Sequence, residues 1–74
     1  MKSKIDHFIV NEVRKRREAL DMSQETLSFR IGRTHSFVGN VECNDEKKYN
    51  FVHINEIAKV LNCSPKDFLP QDPL

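Results

Sequence analysis

The sequence predicts an all-α protein, a compact bundle of five helices, on three observations. No segment of the 74 residues alternates apolar and polar side chains with period two for long enough to make a strand; apolar residues recur instead at spacings of three and four. Good helix-starting residues stand ahead of these segments at Ser23, Thr34, Asn50 and Ser64. At this length a single core stabilises by only about 3–5 kcal/mol, which suits helices joined by short links.

The first helix is expected over about Lys4 to Leu20, with Ile5, Phe8, Ile9, Val13 and Leu20 on one stripe and no Gly or Pro to interrupt it. Asp21-Met22 is a short link, and Ser23 caps the second helix. Thr26 stands where a capping box needs Glu or Gln, so no box forms there. Leu27 and Ile31 point inward at i and i+4, and Gly32 stops the helix at a position that favours positive φ. Thr34 is the expected cap of helix three, whose Val38 and Val41 face the core while His35, Ser36, Gly39 and Asn40 face out.

Residues 43–49 read as a polar loop. Asn50 then caps a helix that carries Ile54, Ile57, Ala58 and Leu61 and closes at Asn62-Cys63. Ser64-Pro65-Lys66-Asp67 is a helix start, with Ser as cap, Pro where no N–H is required and Asp at the third helical position. This fifth helix brings Phe68 and Leu69 onto the core, and Pro70 ends it. Residues 1–70 thus form one domain, and 71–74 a short C-terminal tail.

The stretch from Ser23 to Glu42 has the spacing of helix, turn on Gly32 and second helix that lays a helix in the DNA major groove. Charge alone does not point there. The formal net charge is +1, with eight Lys+Arg against five Asp+Glu in residues 1–40 and four against six in 41–74. Positive residues concentrate only at Arg14-Lys15-Arg16-Arg17 and Lys47-Lys48; Arg14, Lys15 and Arg16 serve equally well as a phosphate patch or as a solvated face.

Cys43 and Cys63 fit neither a disulfide framework nor a zinc site, and His7, His35 and His53 are scattered, so no metal or other cofactor is expected. No nucleophile elbow, Gly-rich loop after a strand or partnered carboxylate pair is present, which argues against an enzyme. No apolar run is long enough to cross a bilayer and no signal-peptide pattern stands at the start, so a cytoplasmic protein is expected.

In order, the chain reads Val13-Arg14-x-x-Arg17, Met22-Ser23-Gln24-x-x-Leu27, Gly32-x-Thr34-x-x-x-Val38-x-x-Val41-Glu42 and Ile54-x-x-Ile57-Ala58-x-x-Leu61. Over about residues 9–69 this series resembles the Xre-type helix-turn-helix domain of phage repressors and bacterial regulators, and so implies the lambda-repressor-like fold. The resemblance implies a phosphate contact from Gln24, with Ser23 beside it, and a partly buried ion pair between Arg17 and Glu42. It implies that the recognition helix, about residues 35–42, begins near Thr34 and reads base edges through Thr34, His35, Ser36 and Asn40.

By position Arg33 is a phosphate candidate, and Lys47, Lys48 and Asn50 are either backbone contacts or solvated loop residues. Phe37 is read as packing against helix two. Three features depart from the family pattern: Ser28 replaces the usual Ala, Gly39 replaces a commoner polar residue, and Asn44 stands where Gly often follows the Glu. The acidic pair Asp45-Glu46 also lies near a surface expected to meet phosphates.

The expected function is therefore a sequence-specific regulator of transcription on double-stranded DNA, with repression as the expected mode. The competing expectation is an antitoxin-like or other protein-interaction module that has lost DNA readout. A weak homodimer on DNA is expected, through helix five, the tail or a Phe8/Phe51/Phe68 surface.

Overall fold

A computed structural model describes residues 1–74 as four α-helices and one 3-10 turn: α1 Lys4–Ala19, α2 Gln24–Arg30, α3 Phe37–Cys43, α4 Phe51–Leu61, then the turn Pro65–Phe68. The fifth helix expected from the sequence is thus a single 3-10 turn. Its start is as read, with Ser64 Oγ accepting from Lys66 N–H and Asp67 accepting from the Ser64 N–H at 2.9 Å. Its extension is cut short by Pro70, which drives the preceding Leu69 into extended backbone (φ −102°, ψ 148°). Leu69 therefore turns largely to solvent rather than onto the core.

Helix α1 begins with a reciprocal cap that the sequence reading missed. Ser3 Oγ accepts the Asp6 N–H at 3.2 Å, and Asp6 accepts the Ser3 N–H at 3.2 Å. Ile9, Val10, Val13 and Arg17 form its buried stripe. Ile5 and Leu20, expected on that stripe, are 41% and 54% exposed, because the helix overhangs the core at both ends.

Three residues take left-handed backbone at links: Asp21 (φ 53°) between α1 and α2, Gly32 (φ 75°) after α2 and Asn62 (φ 57°) after α4. At Gly32 this meets the expectation, and at Asn62 it ends the helix by the left-handed closing conformation that Asn tolerates.

Val13, Leu27, Val38, Ile57 and Phe68 are wholly buried. Phe68, carried on the 3-10 turn, packs against α1 and α4 and so closes the end of the bundle. Truncating so large a core ring costs about 3–5 kcal/mol. Tyr49, read from the sequence as the end of a polar loop, belongs to the same core, and its hydroxyl finds no protein partner. Burial raises that phenol well above its ordinary range, with a further push from the nearby Glu42 charge.

The first residues strap the loop between α3 and α4. The buried Lys2 donates its ammonium to the Val41 carbonyl near the C-terminal end of α3, where a cation meets the negative end of the helix dipole. The Met1 ammonium pairs with Glu46 at 3.0 Å, His7 with Asp45 at 3.2 Å and Lys48 with Asp6 at 3.8 Å. No helix is long and apolar enough to cross a membrane.

Candidate nucleic-acid interface

Helices α2 and α3 pack more extensively on each other than any other pair, and the chemistry of the site follows from that contact. Ser23 starts α2 by accepting the Thr26 N–H at 3.0 Å, and its hydroxyl donates to Thr26 Oγ1 at 2.9 Å. Gln24, the first residue of α2, is thereby aimed at α3. Its Nε2 donates to Glu42 Oε1 at 2.9 Å.

Glu42 is the hub of this region. Arg17 Nη2 reaches Glu42 Oε1 at 3.1 Å and Arg17 Nε reaches Glu42 Oε2 at 3.3 Å, a two-pronged pair whose side chains are 7% and 4% exposed. Arg17 Nη1 donates to the Met22 carbonyl at 2.8 Å. One buried carboxylate thus ties α1, α2 and α3 together and holds the phosphate candidate Gln24 by its amide.

Gly39 stands where α3 meets Gln24. A Cβ built there would lie 3.0 Å from Gln24 Oε1 and 3.6 Å from its Cδ. Gly39 faces outward as expected from the sequence, and it is also the half-buried floor on which Gln24 rests.

The start of α3 differs from expectation. The helix begins at Phe37 rather than near Thr34 or His35, and Thr34 does not cap it. Thr34 contributes its carbonyl to the Phe37 N–H at 3.0 Å, closing a turn over His35 and Ser36. Ser36 occupies the cap position in αR backbone without a side-chain cap bond. The buried Val38 N–H is satisfied from α2, by Ser28 Oγ at 2.9 Å. A cap supplied from another helix leaves no local sequence pattern, which is why the best local candidate, Thr34, misled.

Gln24, His35, Ser36 and Asn40 line one shallow depression together with Glu25, Gly39 and Cys43. Asn40 Nδ2 lies 3.5 Å from Ser36 Oγ, and His35, Ser36 and Asn40 are exposed. The other candidates lie outside this depression. Arg33 is exposed and stacks its guanidinium 5.5 Å from the centre of the Phe37 ring, a cation–π contact that holds the charge beside the start of α3. Phe37 meets His53 edge-on at 4.8 Å and Tyr49 at 6.1 Å, so it packs toward α4 rather than only on α2.

Lys47 is exposed and makes no ion pair, whereas Lys48 pairs with Asp6. The Asn50 side chain caps α4, its Oδ1 accepting from the His53 N–H at 2.8 Å while His53 Nδ1 accepts from the Asn50 N–H at 3.1 Å. The acidic pair at 45 and 46 lies against His7 and the Met1 ammonium in solvent-exposed contacts.

These features define a helix-turn-helix domain with a polar face over the start of its second motif helix. The restriction-modification controller protein C.AhdI from Aeromonas hydrophila is similar to it, with 32% identity over 84% of this chain and 92% of that one and a TM-score of 0.73. The P22 c2 repressor, solved in complex with a synthetic operator, is 26% identical over 86% of this chain and 96% of that one, with a TM-score of 0.71. Hydroxypropylphosphonic acid epoxidase from S. wedmorenis shares the fold alone, at 22% identity and a TM-score of 0.78, and the match takes in only 36% of that longer chain. No protein-family model and no curated protein sequence matches the chain. The chain belongs to the Xre-type, phage-repressor-like helix-turn-helix family.

Proposed function

We propose that the protein is a sequence-specific regulator of transcription, a repressor, that lays α3 in the major groove of double-stranded DNA. The observation that carries this reading is the convergence of Gln24, His35, Ser36 and Asn40 on one exposed face, in a chain 32% identical to a restriction-modification controller. Gln24, held by Glu42, meets a phosphate through its second Nε2 hydrogen, and Ser23 and the N-terminal end of α2 lie beside it. Arg33 and Lys47 supply positive charge at the flanks. Lys48 and Asn50 give up part of their capacity to Asp6 and to the α4 cap.

Base edges fall to His35, Ser36 and Asn40. Asn40 pairs with adenine through its two amide positions, and Ser36 takes either donor or acceptor. Thr34, ahead of the turn, is left for a sugar or phosphate. The epoxidase likeness brings no catalytic site with it, since it extends to fold alone, and the protein is read as a binding protein rather than an enzyme.

Of the three features that favour a partner-binding or antitoxin-like module, near-neutral charge, Gly39 and the acidic loop, the last two have structural settings of their own. Gly39 seats Gln24, and Asp45 and Glu46 pair inside the chain. The protein acts as a weak homodimer that tightens on DNA, on two half-sites about one helical turn apart. Phe68, once a candidate for that contact, is wholly buried and unavailable, whereas Phe51 is 87% exposed.

Selection of duplexes from a random pool, followed by gel shift of the winner across a salt series, tests the function. An enriched sequence is expected, with binding that weakens as salt rises because phosphate contacts release counterions. Gln24→Ala should weaken binding to every duplex. No enrichment, together with unchanged binding by Gln24→Ala, overturns the reading.

A further inference from the structure

Ser28 occupies a position where the family pattern has Ala, and it is wholly buried. A hydroxyl so placed has to be satisfied inside the protein. Its single hydrogen goes to the Gln24 carbonyl at 2.8 Å, one turn back on α2. The oxygen is therefore left as an acceptor, and it takes the Val38 N–H at 2.9 Å.

That N–H belongs to the first turn of α3, where no intrahelical carbonyl is available. Thr34 O serves Phe37 and Ser36 O serves Asn40; of the two amides between them, Val38 and Gly39, Val38 belongs to the wholly buried residue. Ser36 makes no cap bond of its own, and water cannot reach Val38, which is wholly buried.

We infer that Ser28 is a positioning residue for sequence readout: its hydroxyl fixes the first turn of α3 against α2 and so sets where His35, Ser36 and Asn40 stand relative to Gln24. This rests on the DNA-binding reading above. The two ends of the link are the two parts of the site. Gln24, whose carbonyl receives the hydroxyl, carries the phosphate contact, and Val38 lies between the base-reading residues on either side of it. A change of hydrogen bonding at Ser28 alters the register between anchoring and reading without touching DNA.

Ser28→Ala removes one oxygen and adds no bulk, so the variant should fold. Val38 amide exchange is expected to quicken about tenfold more than that of amides in α4. The ratio of affinity for the selected duplex to that for a random duplex is expected to fall about tenfold, the scale of a lost helix cap. Affinity for random duplex should hold, because Gln24 and the cationic flanks remain.

Ile57→Val, in the core of α4, controls for general loosening: it should lower stability while leaving the specificity ratio near that of the parent. An unchanged ratio in Ser28→Ala, or a Val38 amide as slow as in the parent, overturns the role of Ser28 while the DNA reading stands. A parent protein that shows no preference among duplexes overturns both.

Discussion

The Gln24 amide lies across Gly39 so closely that a Cβ on residue 39 would stand 3.0 Å from Gln24 Oε1. Two effects then oppose each other in Gly39→Ala. Helix propensity favours Ala by about 1 kcal/mol in a helix interior. The contact displaces only the far end of a flexible side chain, at small cost to the fold, yet that end is the phosphate candidate. The variant should be up to about 1 kcal/mol more stable in denaturant unfolding and should bind duplex more weakly. Equal or tighter DNA binding would show that Gln24 need not rest where it does.

Breaking the Arg17–Glu42 pair strands a charge with almost no solvent. Glu42→Gln and Arg17→Met should each lower unfolding free energy by up to about 3–5 kcal/mol, comparable with the whole stability of so small a domain, so the variants are compared in a stabilising osmolyte. Removing both charges together should cost less than the sum, because neither is then left alone. Glu42→Gln also alters the acceptor that holds Gln24, so duplex affinity should drop even under conditions where the fold persists. A double-mutant cycle read by urea unfolding checks the coupling.

His53 ties acid sensitivity to the start of α4. Its Nδ1 accepts the Asn50 N–H, which it can do only when that nitrogen is unprotonated. Burial first, and the Arg33 charge second, lower the imidazole pKa from its ordinary 6.5. The folded state therefore binds fewer protons than the unfolded chain in this window. Stability from this group is complete above about pH 6.5 and is lost as pH falls through the folded value. Urea midpoints of the parent should drop across this window relative to those of His53→Gln, which cannot titrate. Parallel curves for the two proteins would exclude His53 as the source.

The two thiols should differ sharply in reactivity. Cys43 is exposed and borders the depression formed with Gln24, His35 and Asn40. Cys63 is partly covered, and burial raises its pKa, leaving less thiolate at neutral pH. A maleimide should therefore label Cys43 first. The selected duplex should protect Cys43 and leave the slow labelling of Cys63 unchanged; protection of Cys63 instead would move the DNA to another face.

Much of this architecture is legible as local pattern. Leu27, Val38, Val41, Ile54, Ile57, Ala58 and Leu61 recur at helical spacing and are all buried, and Ser23, Asn50 and Ser64 cap as their positions suggest. Gly32 adopts the positive φ that its place in the turn calls for. The features that escape local pattern depend on partners far along the chain. Lys2 is buried because a carbonyl at Val41 receives it, and Ser28 caps a helix that starts nine positions later. Tyr49 sits in a run of charges and gives no sign that its ring belongs to the core. In the candidate site, the residue types at 24, 35, 36 and 40 were readable, while the role of Gly39 required the packed helices.

The strap at the amino end also bears on how the chain assembles. Its contacts join residues about forty positions apart, Met1 to Glu46 and Lys2 to Val41, and α1 also meets the 3-10 turn across a still longer stretch of chain. Closing so long a loop costs chain entropy, and part of the return comes from an ion pair open to solvent. The strap is accordingly expected to fray early on warming, because its Met1–Glu46 pair stands open to solvent.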